Sequence, residues 1–515
     1  MGNHLFDLIR ARMPAAAAPF ALLDDGRRYS YADMVDVSGR FANVLVSLGV
    51  KPGDRVAVQV EKSIEALMLY LGAIRSGAIF LPLNTAYTPA EIEYFLGDAQ
   101  PVVFVCDPAR AEAMRPYAEE AGATLETLGV WRSHDVSAGT LADKGLAAET
   151  AFADVDRGPD DLGAILYTSG TTGRSKGAML SHDNLASNAL ALVDYWRFTQ
   201  ADVLLHALPI FHTHGLFVAT NCVLFSGCSM ILLPKFDPDQ VFAHLPKATC
   251  MMGVPTFYVR LLQDARLTKE ATAHMRLFVS GSAPLLAETH REWRQRTGHA
   301  ILERYGMTET NMNTSNPYDG ERVAGTVGFP LPGVSARVTD PETAKVLAAD
   351  EIGMIEVKGP NVFKGYWRNP EKTAAEFRAD GFFITGDLGK IDSAGYVHIV
   401  GRGKDLIITG GYNVYPKEVE TEIDEMPGVI ESAVIGCPHP DFGEGVTAVV
   451  VVKPGATITA ATIAKTLEQR LAKFKLPKQV FIVDDLPRNT MGKVQKNLLR
   501  ESYKDVYARQ IKAGE

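Results

Sequence analysis

Between residues 55 and 105, short apolar runs alternate with helical patterns. Arg55-Val-Ala-Val-Gln59 reads as a strand, Ile64 to Arg75 as a helix, and Ala78-Ile-Phe-Leu-Pro82 and Val102-Val-Phe-Val105 as further strands. This alternation leaves few choices: a parallel sheet with helices on both faces. A second set repeats it, with helices at 183–196, 215–225 and 255–264 and strands at 203–208, 230–233, 250–252 and 275–280. Upstream, a hydroxyl residue in Tyr29-Ser-Tyr-Ala32 precedes an amphipathic helix that ends at Gly49. Residues 107–160 carry the least information.

The texture changes near residue 390. The strand Gly395 to Val400 leads into Gly401-Arg-Gly-Lys-Asp405, which reads as a joint. Beyond it come a helix opened by Pro416, strands at 431–436, 448–452 and 480–483, and a helix carrying Ile463, Leu467 and Leu471. The expected fold class is an α/β large N-terminal domain of parallel-rich sheets covered by helices (residues 1–402), plus a small mobile α+β C-terminal domain (403–515). At 515 residues a single core is not expected.

A net charge of −9 without a basic block argues against nucleic acid as a partner. The apolar stretch Ile64 to Leu83 is broken by Arg75, so no membrane span is expected. Five cysteines form no CxxC pair, and the N-terminus has no signal-peptide pattern, so the expected address is the cytoplasm.

The chemistry concentrates in a few clusters. Tyr167-Thr-Ser-Gly-Thr-Thr-Gly-Arg-Ser-Lys-Gly177 follows a buried strand and gathers hydroxyls, glycines, Arg174 and Lys176. Glycines let backbone N–H groups line a concavity, and the cations add charge: a polyphosphate cradle, although the P-loop pattern cannot be laid on it. His212-Thr-His214 is a weak metal signal, since no third ligand lies nearby at the usual spacing. Gly281-Ser-Ala-Pro284 offers backbone on which a flat ring could lie. Arg304-Tyr-Gly-Met-Thr-Glu309 sets an aromatic and a carboxylate four residues apart, and Thr385-Gly-Asp387 sets a carboxylate on a tight turn. Pro487-Arg-Asn-Thr-Met-Gly-Lys493 is a loop ending in a lysine. Each has a bland alternative: a turn cap, a solvated carboxylate, one surface lysine among many.

Together and in this order, these segments resemble the adenylate-forming acyl-CoA synthetase superfamily over essentially the whole chain. The resemblance implies a two-step reaction in which a carboxylate attacks the α-phosphate of ATP and coenzyme A then displaces AMP. It implies that Thr168, Ser169, Gly170, Thr171, Thr172, Gly173 and Lys176 hold phosphates, with Glu309 the Mg²⁺ ligand. Tyr305 and the Gly281, Ser282 and Ala283 backbone would sandwich adenine, with Gly306 and Thr308 in the same ATP-binding segment. Asp387 would accept the ribose hydroxyls beside Arg402, and His212 would adjoin the reacting carboxylate. Lys404 would be the hinge, Gly411 would border the coenzyme A tunnel, and Lys493 would bridge two anions in the first step. The Lys493 loop also resembles the segment that protein lysine acetyltransferases modify in this superfamily, with a deacetylase as the opposing partner.

Arg304 and Arg260 bear on which acid is used. Both are expected to wall the acyl pocket, and a guanidinium forks onto a carboxylate, so two of them suggest a dicarboxylic acid. The segments around Phe211 to Gly215, Val254 to Arg260, Ser280 to Ala283 and Glu303 to Ser315 resemble the malonyl-CoA synthetase group. Ser282 would add a donor, while Thr213 and Met307 would limit what fits at the α-carbon. The expected substrate is malonate, with methylmalonate second. Another short acid stays open, as do a carrier protein in place of free coenzyme A and a nucleotide-binding protein without catalysis. No carrier domain is expected after Lys493, and the intact Lys493 and Glu309 weigh against the last reading.

Overall fold

A computed structural model describes residues 2–129, 138–168, 175–410, 412–489 and 492–507. Arg55–Gln59, Ile79–Pro82, Val103–Cys106 and Leu162–Thr168 are strands of one six-stranded sheet. Three neighbouring pairs among them are parallel: Arg55–Gln59 with Ile79–Pro82 and with Val103–Cys106, and Ile79–Pro82 with Leu162–Thr168. At one edge, Leu162–Thr168 and Lys176–Ser181 pair antiparallel, with Thr168 opposite Lys176. The phosphate-loop segment is therefore the connection of a hairpin. It does not open a helix as a P-loop does.

The second, nine-stranded sheet places Val203–His206, Ser229–Leu232, Cys250–Gly253 and Leu277–Ser280 in parallel register. Leu302–Met307 extends it in parallel, and Asn311–Ser315 folds back on that strand. The helix Tyr31–Ser47 starts with a capping box made by Ser30 and Asp33. Every residue of the helix Ile64–Arg75 is buried. Arg75 lies inside the protein and bonds Asp154 Oδ1 at 2.6 Å, so this apolar stretch is core. Among the described residues, no helix is long and apolar enough to cross a membrane.

Ser335–Thr339, Gly353–Lys358, Phe383–Ile391 and Val397–Arg402 form a four-stranded antiparallel sheet, of which the sequence pattern showed only the last strand. It also corrects the tight turn expected at Thr385-Gly-Asp387. These residues lie within a strand, with Asp387 opposite Arg402 and Gly386 at φ +74°. The left-handed glycine distorts the strand locally and leaves Asp387 on the side facing Tyr305.

From Ile407 onward the apolar side chains pack into two clusters of their own, one around Val419, Ile423, Val434 and Leu467, the other around Ile435, Val449 and Tyr507. Gly403–Asp405 forms a single 3₁₀ turn between the antiparallel sheet and this unit. Lys404 is exposed there, and Arg500 of the helix Lys496–Tyr503 reaches Asp405 at 2.5 Å.

Candidate active site

The carboxyl end of Leu302–Met307 supplies the centre. Arg304 and Tyr305 are successive residues on this pleated strand, so their side chains leave on opposite faces. Arg304 is 4% exposed, and its Nε and Nη2 have no hydrogen-bond partner. Burial pulls the guanidinium down to about 9. It lies against Gly281, where a Cβ would come within 2.3 Å of the guanidinium carbon and displace Arg304.

The other residues expected to line the acid pocket are His214, Ser282, His212, Thr213 and Met307. His214 is 1% exposed and sits 3.2 Å from Ser282 Oγ through its Nδ1, while its Nε2 has no partner. Ser282 holds φ +71°, an uncommon conformation for a residue with a Cβ and one often found at binding sites. His212 is half-buried, and its Nδ1 accepts the His214 N–H at 3.2 Å. Burial, followed by the charges of Lys493 and Arg304, lowers His212 to about 3, so the ring is neutral. Thr213 is buried with an unpartnered hydroxyl, and Met307 is half-buried.

On the other face, Tyr305 is buried and its hydroxyl donates to Asp387 Oδ2 at 2.5 Å. Arg402 Nε lies 3.4 Å from Asp387 Oδ1. Gly306 and Thr308 follow at the strand end, leading to Glu309, which is 6% exposed and whose carboxyl burial pushes up. Tyr366 lies between two carboxylates, its hydroxyl 3.0 Å from Glu309 Oε1 and 2.6 Å from Glu376 Oε2, with one proton to give. The Lys176 amine is 4.8 Å from the centre of the Tyr366 ring. Thr168 and Lys176 are thereby tied to Glu309. Ser169, Gly170, Thr171, Thr172 and Gly173 lie outside the described residues, as does Gly411.

Lys493 enters from the small unit. Its N–H bonds Asn489 Oδ1 at 2.9 Å, and a Cβ on neighbouring Gly492 would lie 3.3 Å from Thr256. Burial, then the charge of Arg402, lowers the Lys493 amine to about 8; Asp387, Arg304 and Glu309 also act on it. The lysine therefore stands where the phosphate-side carboxylates and the Arg304 pocket meet.

Arg260 lies on the helix Pro255–Leu262, four residues after Thr256 and so on the helix face that meets the Lys493 loop. It is exposed, while Tyr258, Leu261 and Leu262 take the buried face. Tyr366 was missed altogether. Its distance in sequence from Glu309 gives no signal that the two meet.

These features describe an enzyme that holds an anionic polyphosphate beside an acid pocket. The chain belongs to the AMP-binding enzyme family, whose model matches residues 10–367; the AMP-binding enzyme C-terminal domain matches residues 418–493. The fold matches the crystal structure of ATP-bound MatB from Rhodopseudomonas palustris with a TM-score of 0.96 and 66% identity, covering 98% of this chain and 100% of that one. The malonate–CoA ligase of Arabidopsis thaliana is 34% identical, over 94% of this chain and 86% of the relative. A feruloyl-CoA synthase from an Amycolatopsis species is 36% identical, over 96% and 97%.

Proposed function

We propose that this protein joins malonate to coenzyme A in an ATP- and Mg²⁺-dependent reaction through malonyl-AMP. The observation that carries this reading is the buried, unpartnered guanidinium of Arg304 in the pocket with His212, His214 and Ser282. A malonate–CoA ligase and MatB among its relatives support this acid, and Arg304 gives the physical reason: an acid without a second carboxylate leaves a buried cation unpaired. The experiment is a pyrophosphate-release screen over short mono- and dicarboxylic acids. Malonate is expected first and methylmalonate second, its extra methyl meeting Thr213 and Met307. Strongest release with a monocarboxylic acid would overturn the reading.

In the first step, a malonate oxygen attacks the α-phosphorus and the bond to the pyrophosphate oxygen breaks. Two anions must meet, so positioning and charge carry the rate. Lys493 spans malonate and α-phosphate, Arg304 holds the distal carboxylate, and neutral His212 lines the reacting end. Asp387, steadied by Tyr305 and Arg402, takes the ribose hydroxyls, and Tyr305 with the Gly281–Ala283 backbone brackets adenine. Lys176 and the hydroxyl-rich loop from Thr168 hold the outer phosphates. Mg²⁺ prefers one or two protein carboxylates together with phosphates and water, which suits the single buried Glu309; it supplies charge neutralisation at the phosphates. In the second step, the coenzyme A thiol attacks the acyl carbon and AMP leaves with the bonding pair. The five cysteines, all buried and free, fit a reducing compartment, and we place the enzyme in the cytoplasm.

The two steps need two placements of Lys493, with residues 1–402 as the body, 403–515 as the moving part and Lys404 as the hinge. Lys404→Pro fixes φ at the exposed turn. Adenylation is expected to survive while thioester formation falls to a small fraction; normal overall turnover would place the joint elsewhere. Acetylation of Lys493 by a protein lysine acetyltransferase would remove the charge used in the first step. Stoichiometric acetylation mapped to Lys493 is expected to abolish adenylation, and full activity of that species would refute the switch.

A further inference from the structure

Two buried titratable side chains behind the acid pocket take no part in the chemistry above. Lys62 follows the strand Arg55–Gln59 and is 7% exposed; His206 ends the strand Val203–His206 and is 1% exposed. Both stand at the carboxyl ends of parallel strands, but in different sheets, so their contact joins the two sheets. The Lys62 amine donates to the His206 carbonyl oxygen at 2.8 Å and lies 3.1 Å from His206 Nδ1. No carboxylate pairs with Lys62 among the described residues, and burial holds its amine well below the usual lysine range.

An amine proton given to Nδ1 leaves the imidazole proton on Nε2. From Nε2 the ring donates to the Gly215 carbonyl oxygen at 2.9 Å, with Thr220 Oγ1 at 3.2 Å; the Thr220 hydroxyl donates to the same oxygen at 3.0 Å. Gly215 and Thr220 lie in the π-helical turn His214–Thr220, a rare geometry found mostly at functional sites. A Cβ at Gly215 would strike the Pro209 carbonyl, so the turn is packed directly on the segment that leads into it. The first residue of the turn is His214, which faces Ser282 and feels the charge of Arg304. Hydrogen bonds thus run from Lys62 through His206 to the carbonyl of Gly215, the residue after His214. A methionine could fill the same space without donating anything.

We infer that Lys62 is a positioning residue for the acid pocket: by donating to His206 it fixes that ring's tautomer and holds the π turn that places Thr213 and His214 against Arg304. This rests on reading the Arg304 pocket as the acid site. Misplacing pocket groups by about an ångström through a remote change can cost about 10²-fold.

The test measures KM for malonate and for ATP separately, with kcat and thermal midpoint, on the full-length protein. Lys62→Met is expected to raise the malonate KM by about tenfold to a hundredfold and to leave the ATP KM within about twofold. His206→Leu should reproduce that pattern. His206→Gln can accept from Lys62 through Oε1 and donate to Gly215 through Nε2, so it should stay close to wild type. A malonate KM unchanged in Lys62→Met, or malonate and ATP KM rising together, would overturn the inference. If Lys62→Met does not fold, the contrast between His206→Gln and His206→Leu decides, and equal behaviour of the two is the overturning result. Wild type that prefers malonate while Lys62→Met matches it defeats the relay alone. Wild type without that preference defeats the acid-site reading.

Discussion

Lys493→Ala is expected to lower malonate-dependent adenylation by about 10²- to 10³-fold, the cost of one lost electrostatic donor at a developing charge. Thioester formation from supplied malonyl-AMP and coenzyme A should fall far less. The asymmetry follows from where the amine sits. It belongs to the small unit but stands among groups of the body, under the fields of Arg402, Asp387, Arg304 and Glu309. Before substrates bind, two cations act on it and burial holds its amine at about 8. The sign is then fixed: the useful, charged form prevails below that pH, so kcat/KM for adenylation should decline as pH rises through about 8. Lys493→Arg keeps its charge across this range and should lose that limb, even at reduced rate. Equal losses in both half-reactions of Lys493→Ala would contradict the assignment, as would a profile with the same limb in Lys493→Arg.

Arg304→Leu should reduce kcat/KM for malonate by about 10²- to 10³-fold, because breaking a buried ion pair from one side costs about 3–5 kcal/mol. The wild-type guanidinium is already desolvated and without a partner for Nε and Nη2, so the distal carboxylate meets donors that need no rearrangement. Propionate, which has no distal carboxylate, should lose little or gain, and the ATP KM should shift only slightly through Tyr305. Arg260→Leu is expected to cost much less than Arg304→Leu. Arg260 is exposed, and a solvated cation contributes little compared with a buried one. If Arg260→Leu proved the more damaging change, or Arg304→Leu kept the malonate preference, the assignment of the pocket would be wrong.

The body's fold was legible because its strands are short apolar runs alternating with helical stretches, although Ile64–Arg75 is buried on every side and the helix expected at 215–225 begins as the π turn His214–Thr220. Of the antiparallel sheet from Ser335 to Arg402 only the last strand was, since the others interrupt their apolar runs with the buried carboxylates Glu356 and Asp387 and with Gly353 and Gly386. Glu309, Asp387 and Lys493 stand out in the sequence because charged residues coincide there with glycine- and hydroxyl-rich motifs, although Asp387 lies in a strand and not on the turn expected for it. Burial could not be read. Arg260 and Arg304 looked equivalent in sequence, yet one lies on a solvent-facing helix surface and the other on a central strand against Gly281. Tyr366 and the Lys62–His206 contact depend on tertiary closure over long separations, for which no local pattern exists.

On the proposed function, a buried guanidinium selects a dicarboxylic acid. The most direct measurement of that selection is kcat/KM of the wild-type enzyme for malonate, methylmalonate and propionate, with ATP, Mg²⁺ and coenzyme A saturating. The expected order is malonate, then methylmalonate, with propionate about 10²- to 10³-fold below malonate, since a site built for a polar group rejects an analogue lacking it more strongly than one bearing an extra methyl. Propionate used as well as malonate would mean that Arg304 does not select the acid.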